Sequence, residues 1–380
     1  MKNTAKNLTK QMRKSSRARG PAAGIPMQTI GIDLGCERSA YCVLNQAGEV
    51  VEEDWMLTTR ATLREQWGGT KVRCRVVIEA CGLSTWVREE FAALGYEVVV
   101  ANPSKVPLIG RSQKKCDETD AYLLAKLGRA DVELLSPVTP LGTAAHLARS
   151  TVRLRRQAVA ARVKLTNVAR GLGRTLGYPI PACDADHFTE RARHSGLPAE
   201  IVKMLEPLLF GIEGLQASER RYEVLLQKLQ RKPEYAASKI LETVPGVGLV
   251  TAMTFILTIG DPARFADPRD VAAYLGLTPA RKPSGTSDPQ LGITKAGDGY
   301  LRSLLVECAH RLLQDRSPAS ALRDWGRKLA KRGGKRGKRK AIVAVARKLS
   351  VILYRLWQTQ QPFEAYPPGT SAAGSPGLAA

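Results

Sequence analysis

At 380 residues the chain has room for two or three domains with cores of their own. Hydrophobic residues at 44% and charged ones at 24% are ordinary for a soluble protein, but 58 Lys and Arg against 35 Asp and Glu leave a net charge of +23. Such an excess calls for a polyanionic partner, of which nucleic acid is the commonest. A membrane-spanning segment is excluded, because the longest apolar run, LVTAMTFILTIG at 249–260, is about half of the roughly 20 residues a bilayer requires.

Residues 1–26 hold seven Lys or Arg and no acid, the composition of a disordered basic arm that either solubilises the chain or touches nucleic acid. No apolar signal core precedes Ile30, so export is not expected. Seven cysteines without a CxxC pair, beside four histidines, indicate neither a disulfide framework nor a zinc site. A reducing, cytoplasmic setting follows.

From Met27 the pattern turns to strands: QTIGIDLG, then SAYCVLN and EVVEEDWML flanking the turn Gln46-Ala47-Gly48, then VRCRVVIEA. A helix is predicted at about 84–94, a fifth strand at YEVVVANP and a further helix from SQKKCDETDAYLLAKL. This order is an α/β layered domain with a mixed sheet. Asp33 and Glu79 stand where β-branched runs stop, at strand ends of the kind where α/β sheets bind ligands. Asp117 and Asp120, three apart, share one face of a helical turn. Taken singly, each acid reads equally as a solvated strand end or a helix cap. Together they suit hard cations, Mg²⁺ or Mn²⁺, in a two-metal phosphoryl-transfer site.

Between Leu134 and Cys183 there is no acid, while Arg149, Arg153, Arg155, Arg156, Arg162, Lys164, Arg170 and Arg174 fall on a helical pattern. The absence of compensating acids favours phosphate contact over a merely solvated face. Ile201–Gln230 forms a second amphipathic helix, and the two suggest an antiparallel, coiled-coil-like arm. LETVPGVGLVTAMTFILTIG has helix-hairpin-helix form, with Gly246 and Gly248 bringing backbone N–H groups to a phosphate; a plain helix turn is the alternative. A Pro- and Gly-rich loop then runs from Gly276 to about Gly299 and carries Arg281, Lys282, Ser284, Thr286, Ser287 and Lys295. Its hydroxyls read either as turn residues or as a nucleophile beside cations. KRGGKRGKRK, with Lys335, Arg336, Lys338 and Arg339, is a flexible basic hinge placed for phosphate contact, and a helix follows it. The tail from 359 is expected to be disordered.

IDLG, VIEACG and a K-x-D-x-x-D helix, followed by AAYLGLTP, a Ser-Gly and GITKAGDGYLR, resemble the IS-one-ten (IS110) family of insertion-sequence DEDD transposases. The resemblance implies a RuvC/ribonuclease-H-like α/β domain over 27–135 after the arm at 1–26. It further implies a helical arm over 136–238, a mainly α-helical serine transposase domain with the helix-hairpin-helix over 239–358, and the tail at 359–380. Carried over, Asp33, Glu79, Asp117 and Asp120 are the metal-binding tetrad, and Ser284 is the serine that attacks DNA to form a phosphoserine link. The family often has Ser-Ser-Gly where this chain has Pro-Ser-Gly, so Ser287 is the fallback. The implied activity is recombination of donor and target DNA guided by a bridge RNA, in dimers that pair into a tetramer. Two other readings stand beside it: a Holliday-junction-type metal nuclease that uses water, and a non-catalytic nucleic-acid scaffold.

Overall fold

Ile30 and Ile32 are fully buried on one face of the first strand, while Gly31 between them meets a helix on the other, and this alternation sets the sheet's two layers. The computed structural model describes residues 28–69, 73–103, 117–139, 141–281 and 290–367; the basic arm expected at 1–26 lies outside them. The chain divides into two units, Met1–Thr143 and Ala144–Ala380.

In the first unit, β1 (Gln28–Asp33), β2 (Arg38–Leu44), β3 (Val50–Leu57), β4 (Cys74–Glu79) and β5 (Glu97–Ala101) form one mixed sheet in the order β3-β2-β1-β4-β5. The β1–β2 and β2–β3 pairs are antiparallel; β1–β4 and β4–β5 are parallel. Helices α1 (Arg60–Trp67) and α2 (Ser84–Ala93) cover the face of Ile30, Ile32, Val76 and Ile78, burying Leu63, Trp67, Val87 and Phe91 against it. Helix α3 (Asp117–Ala130) covers the opposite face through Ala121, Leu124 and Ala125. The mixed α/β layering expected of this region is what the chain adopts. Helix α1 was not expected; it starts where the Thr59 hydroxyl accepts the Thr62 N–H, a cap of the usual kind.

The second unit is mostly helical. Helix α4 (Thr143–Thr175) packs against α6 (Ala199–Gln230), with the short α5 (Phe188–Arg193) between them in sequence. The pairs Arg155–Glu223 and Arg162–Glu219 advance along α4 as they retreat along α6, so the helices are antiparallel. The remainder gathers α7 (Ala237–Leu241), α8 (Leu249–Ile259), α9 (Asp270–Tyr274), α10 (Gly299–Leu312), α11 (Ala321–Lys331) and α12 (Gly334–Thr359) around a core that includes Phe255, Leu305, Tyr354 and Trp357.

Three differences from the sequence reading stand out. The loop after Gly276 contains a two-stranded hairpin, β6 (Pro279–Arg281) and β7 (Gln290–Ile293). The basic hinge is helical from Gly334, because the apolar face of α12 lends its order to the turns before it. The tail is ordered through 367: the Phe363 N–H donates to the Thr243 hydroxyl, the Ala321 N–H to the Ala365 carbonyl and the Tyr366 hydroxyl to Asp324. Residues 368–380 lie outside the described residues.

Candidate active site

Parity along the strands decides which way the strand-end acids face. Asp33 shares its face of β1 with Gly31, which meets α3, and Glu79 shares its face of β4 with Val77, which packs on Leu124 of α3. The parallel register Ile32↔Ile78, continued by one residue, sets Asp33 beside Glu79 at the carboxyl ends of neighbouring strands. Both carboxylates therefore point to the α3 side of the sheet.

The direction of α3 brings the other two to the same end. The Trp55 indole N–H donates to Glu118 at 3.2 Å, and Trp55 lies opposite Ala40, which lies opposite Asp33. At the far end of α3, Arg129 donates to the Gln46 carbonyl and the Gly128 carbonyl accepts from Arg75. The helix thus runs antiparallel to β1, with Asp117 and Asp120 in its first turn over the strand ends. Asp33, Glu79 and Asp120 are half-buried, and Asp117 is exposed.

Small residues make this approach possible. A Cβ on Gly31 would lie 2.1 Å from the Ala121 carbonyl oxygen and 2.4 Å from the Ala125 nitrogen; one on Gly128 would lie 2.3 Å from a Val77 methyl. Gly31, Ala121, Ala125 and Gly128 were missed in the sequence, although the Ala-Ala spacing of four followed by Gly signals a close helix face.

In donor type the four carboxylates suit a hard divalent cation. Among the described residues no three His, Cys, Asp or Glu side chains are gathered closely enough to hold one.

The expected nucleic-acid contacts separate into two sets. Arg153 and Lys164 are exposed on α4, as are Lys338 and Arg339 on α12. Arg155 and Arg162 instead pair with Glu223 at 2.5 Å and Glu219 at 2.6 Å, and the Arg156 guanidinium lies 4.7 Å from the Tyr300 ring centre. The acids absent from the α4 window are supplied by α6. A cleft of about 660 Å³ between α4, α6 and the Pro245–Gly248 turn is accordingly charge-balanced along the α4–α6 wall. Gly246 has φ +86°, and Gly248 precedes α8 with open space beside it. Arg281 ends β6 and Lys295 follows β7 at φ +57°. Ser284, Ser287 and Lys282 lie outside the described residues, as do the side chains of Lys335 and Arg336.

Comparison with known proteins gives two family matches. Residues 30–172 match a profile for the DEDD transposases of IS110 elements, described as a transposase. Residues 238–324 match the profile described as "Transposase IS116/IS110/IS902 family". The transposase for insertion sequence element IS1111A of Coxiella burnetii is 27% identical over 89% of this chain and 91% of its own length. The y4pF/y4sB protein of Sinorhizobium fredii, which also carries a transposase name, is 32% identical over 76% of this chain and 74% of its own. A pilin gene-inverting protein of Moraxella lacunata is 35% identical over 34% of this chain and 39% of its own length.

Proposed function

The chain belongs to the IS116/IS110/IS902 family of insertion-sequence transposases and is a DNA transposase; from that premise we propose a serine recombinase whose phosphoryl transfer is supported by the carboxylates Asp33, Glu79, Asp117 and Asp120. The observation that carries the reading is the arrival of β1, β4 and the first turn of α3 at one end of the sheet, each bearing an acid on the same side. Those four residues would hold Mg²⁺ or Mn²⁺, which when bound neutralises charge on the scissile phosphate. The Ser284 hydroxyl supplies the nucleophile. Its oxygen forms a bond to phosphorus, its proton passes to a base, and the bond to the departing deoxyribose oxygen breaks, leaving a free DNA hydroxyl and a phosphoserine link. Attack by a second strand's hydroxyl reverses the sequence, frees the serine and joins new partners.

Exposed Arg153, Lys164, Lys338 and Arg339 are the preferred phosphate contacts of donor and target DNA. Gly246 and Gly248, Arg281, Lys282 and Lys295, and Lys335 and Arg336 belong to the same proposed surface. Arg155 and Arg162 reach it only by leaving the ion pairs they already have, while Arg156 is exposed with its guanidinium beside the Tyr300 ring. A guide RNA is proposed as the source of sequence choice, since base pairing can carry specificity while protein grips backbone. Self-association through the α4–α6 arm is proposed on the family resemblance.

The test is recombination between donor and target plasmids with flanking RNA and Mg²⁺, comparing wild type with Ser284→Ala and Asp33→Ala. Both variants are expected to lose recombinants. Cutting that survives Ser284→Ala but not Asp33→Ala would favour the water-using nuclease.

A further inference from the structure

Across the carboxylate end of the sheet, the antiparallel register sets Trp55 of β3 opposite Ala40 of β2, and Ala40 opposite Asp33 of β1. Directly opposed residues share a face, so the indole stands on the α3 side with Asp33 and Glu79. Arg38, two residues before Ala40, belongs to that face too and is exposed. The row across the strand ends therefore reads carboxylate, carboxylate, cation, aromatic ring. Two strand spacings, about 10 Å, separate β3 from β1. That span is about three base rises of roughly 3.4 Å along one nucleic-acid strand.

The ring is held by its edge. Its Nε1–H donates to Glu118 at 3.2 Å, and the ring packs with Tyr122, one turn further along α3, against a small-residue cluster that includes Ala40 and Ala121. The Arg38 guanidinium lies 5.9 Å from the ring centre, where direct contact would come at about 3.5–4.0 Å, so it does not cover that centre. A tryptophan needed for packing alone sits as Trp67 does, 7% exposed in the core. Trp55 is half-buried, on a strand whose residues Val50–Asp54 are all exposed.

The charges around the ring give a bound nucleotide a direction. Glu53 lies two residues along the same face and is exposed, so its carboxylate turns phosphates away from the length of β3. Arg38 attracts them to the strand ends. A nucleotide here has its phosphate toward Arg38 and only its base over the indole.

We propose that Trp55 and Arg38 form a nucleobase-stacking site, which takes an unpaired base of the DNA strand whose scissile phosphate lies at Asp33 and Glu79. The site rests on the carboxylate reading for its place beside the cut, and on its own residues for the stacking. Base–aromatic stacking tolerates any base, because every base has a π-face. The site therefore holds an opened strand in place without reading its sequence.

The test uses the full-length protein, Mg²⁺ and a single-stranded oligodeoxynucleotide carrying 5-iododeoxyuridine at its thymine positions. The complex is irradiated and digested, and the cross-linked residue is located by mass spectrometry. A cross-link on Trp55 is expected, and is expected to disappear when the oligonucleotide is fully paired in a duplex. Trp55→Ala is expected to weaken single-strand affinity about 5- to 100-fold and to leave duplex affinity unchanged. Trp55→Phe, which keeps a ring without the Nε1–H, is expected to retain most of the single-strand affinity. A packing role alone would lower Tm and both affinities together, which overturns the proposal. Cross-links that avoid Trp55, a Trp55 cross-link formed with RNA and not with DNA, or wild-type single-strand affinity in folded Trp55→Ala also overturn it. If Trp55→Ala does not fold, the wild-type cross-link and Trp55→Phe decide. Cutting that persists in Asp33→Ala overturns the carboxylate reading, and the Trp55 cross-link, which needs no cutting, then supports stacking by itself.

Discussion

Arg162 and Arg153 lie on the same helix, yet their neighbours give them different work. Arg162 and Glu219 are each only 13% exposed at the side chain, so removing one charge strands the other in a poorly hydrated place. Arg162→Ala is expected to destabilise the fold by about 3 kcal/mol, read as a lowered urea midpoint. Arg153 is exposed, and Arg153→Ala should change stability by less than about 0.5 kcal/mol while lowering the slope of log affinity against log salt by about one. A reversed pattern would mean that Arg162 is the phosphate contact. The acid-free window was legible in the sequence; the pairing was not, because Glu219 and Glu223 lie on another helix, and a local charge count cannot see a tertiary neighbour.

At the scale of elements, the contact between α3 and β1 holds the carboxylates at one end. Gly31→Val would press a side chain into the α3 backbone, costing about 1–3 kcal/mol in overpacking and displacing the first turn with Asp117 and Asp120. The variant is expected to keep its helical circular dichroism, lose thermal stability, and lose Mg²⁺-dependent strand cleavage. Gly69→Ala, with nothing within 4 Å of the added carbon, should leave both properties unchanged. Full cleavage by Gly31→Val would show that the α3 contact does not set the site.

The five strands of the first unit were legible because β-branched runs end in turn residues, and the strand-end acids could be located from those ends. Helix α1 was not, because RATLREQW buries only Leu63 and Trp67, one helical turn apart. Hairpin β6–β7 was hidden by its Pro and Gly content, and the start of α12 by a run of Lys, Arg and Gly that reads as loop. In both places tertiary packing decides what local propensity does not.

For the whole molecule, an excess of +23 sets the long-range attraction to nucleic acid, while the two units divide the proposed chemistry between the carboxylates of the first and the serine segment of the second. Among the described residues no helix is long and apolar enough to cross a membrane. The central claim is that the family's phosphoryl transfer passes through Ser284 with support from Asp33, Glu79, Asp117 and Asp120. The most direct measurement is to trap the covalent protein–DNA adduct with Mg²⁺ and flanking RNA, digest it, and locate the DNA-linked residue by mass spectrometry. The account predicts a phosphodiester on Ser284, absent from the Asp33→Ala protein. DNA linked to Ser287 or any other residue, or DNA cut with no adduct at all, would contradict it.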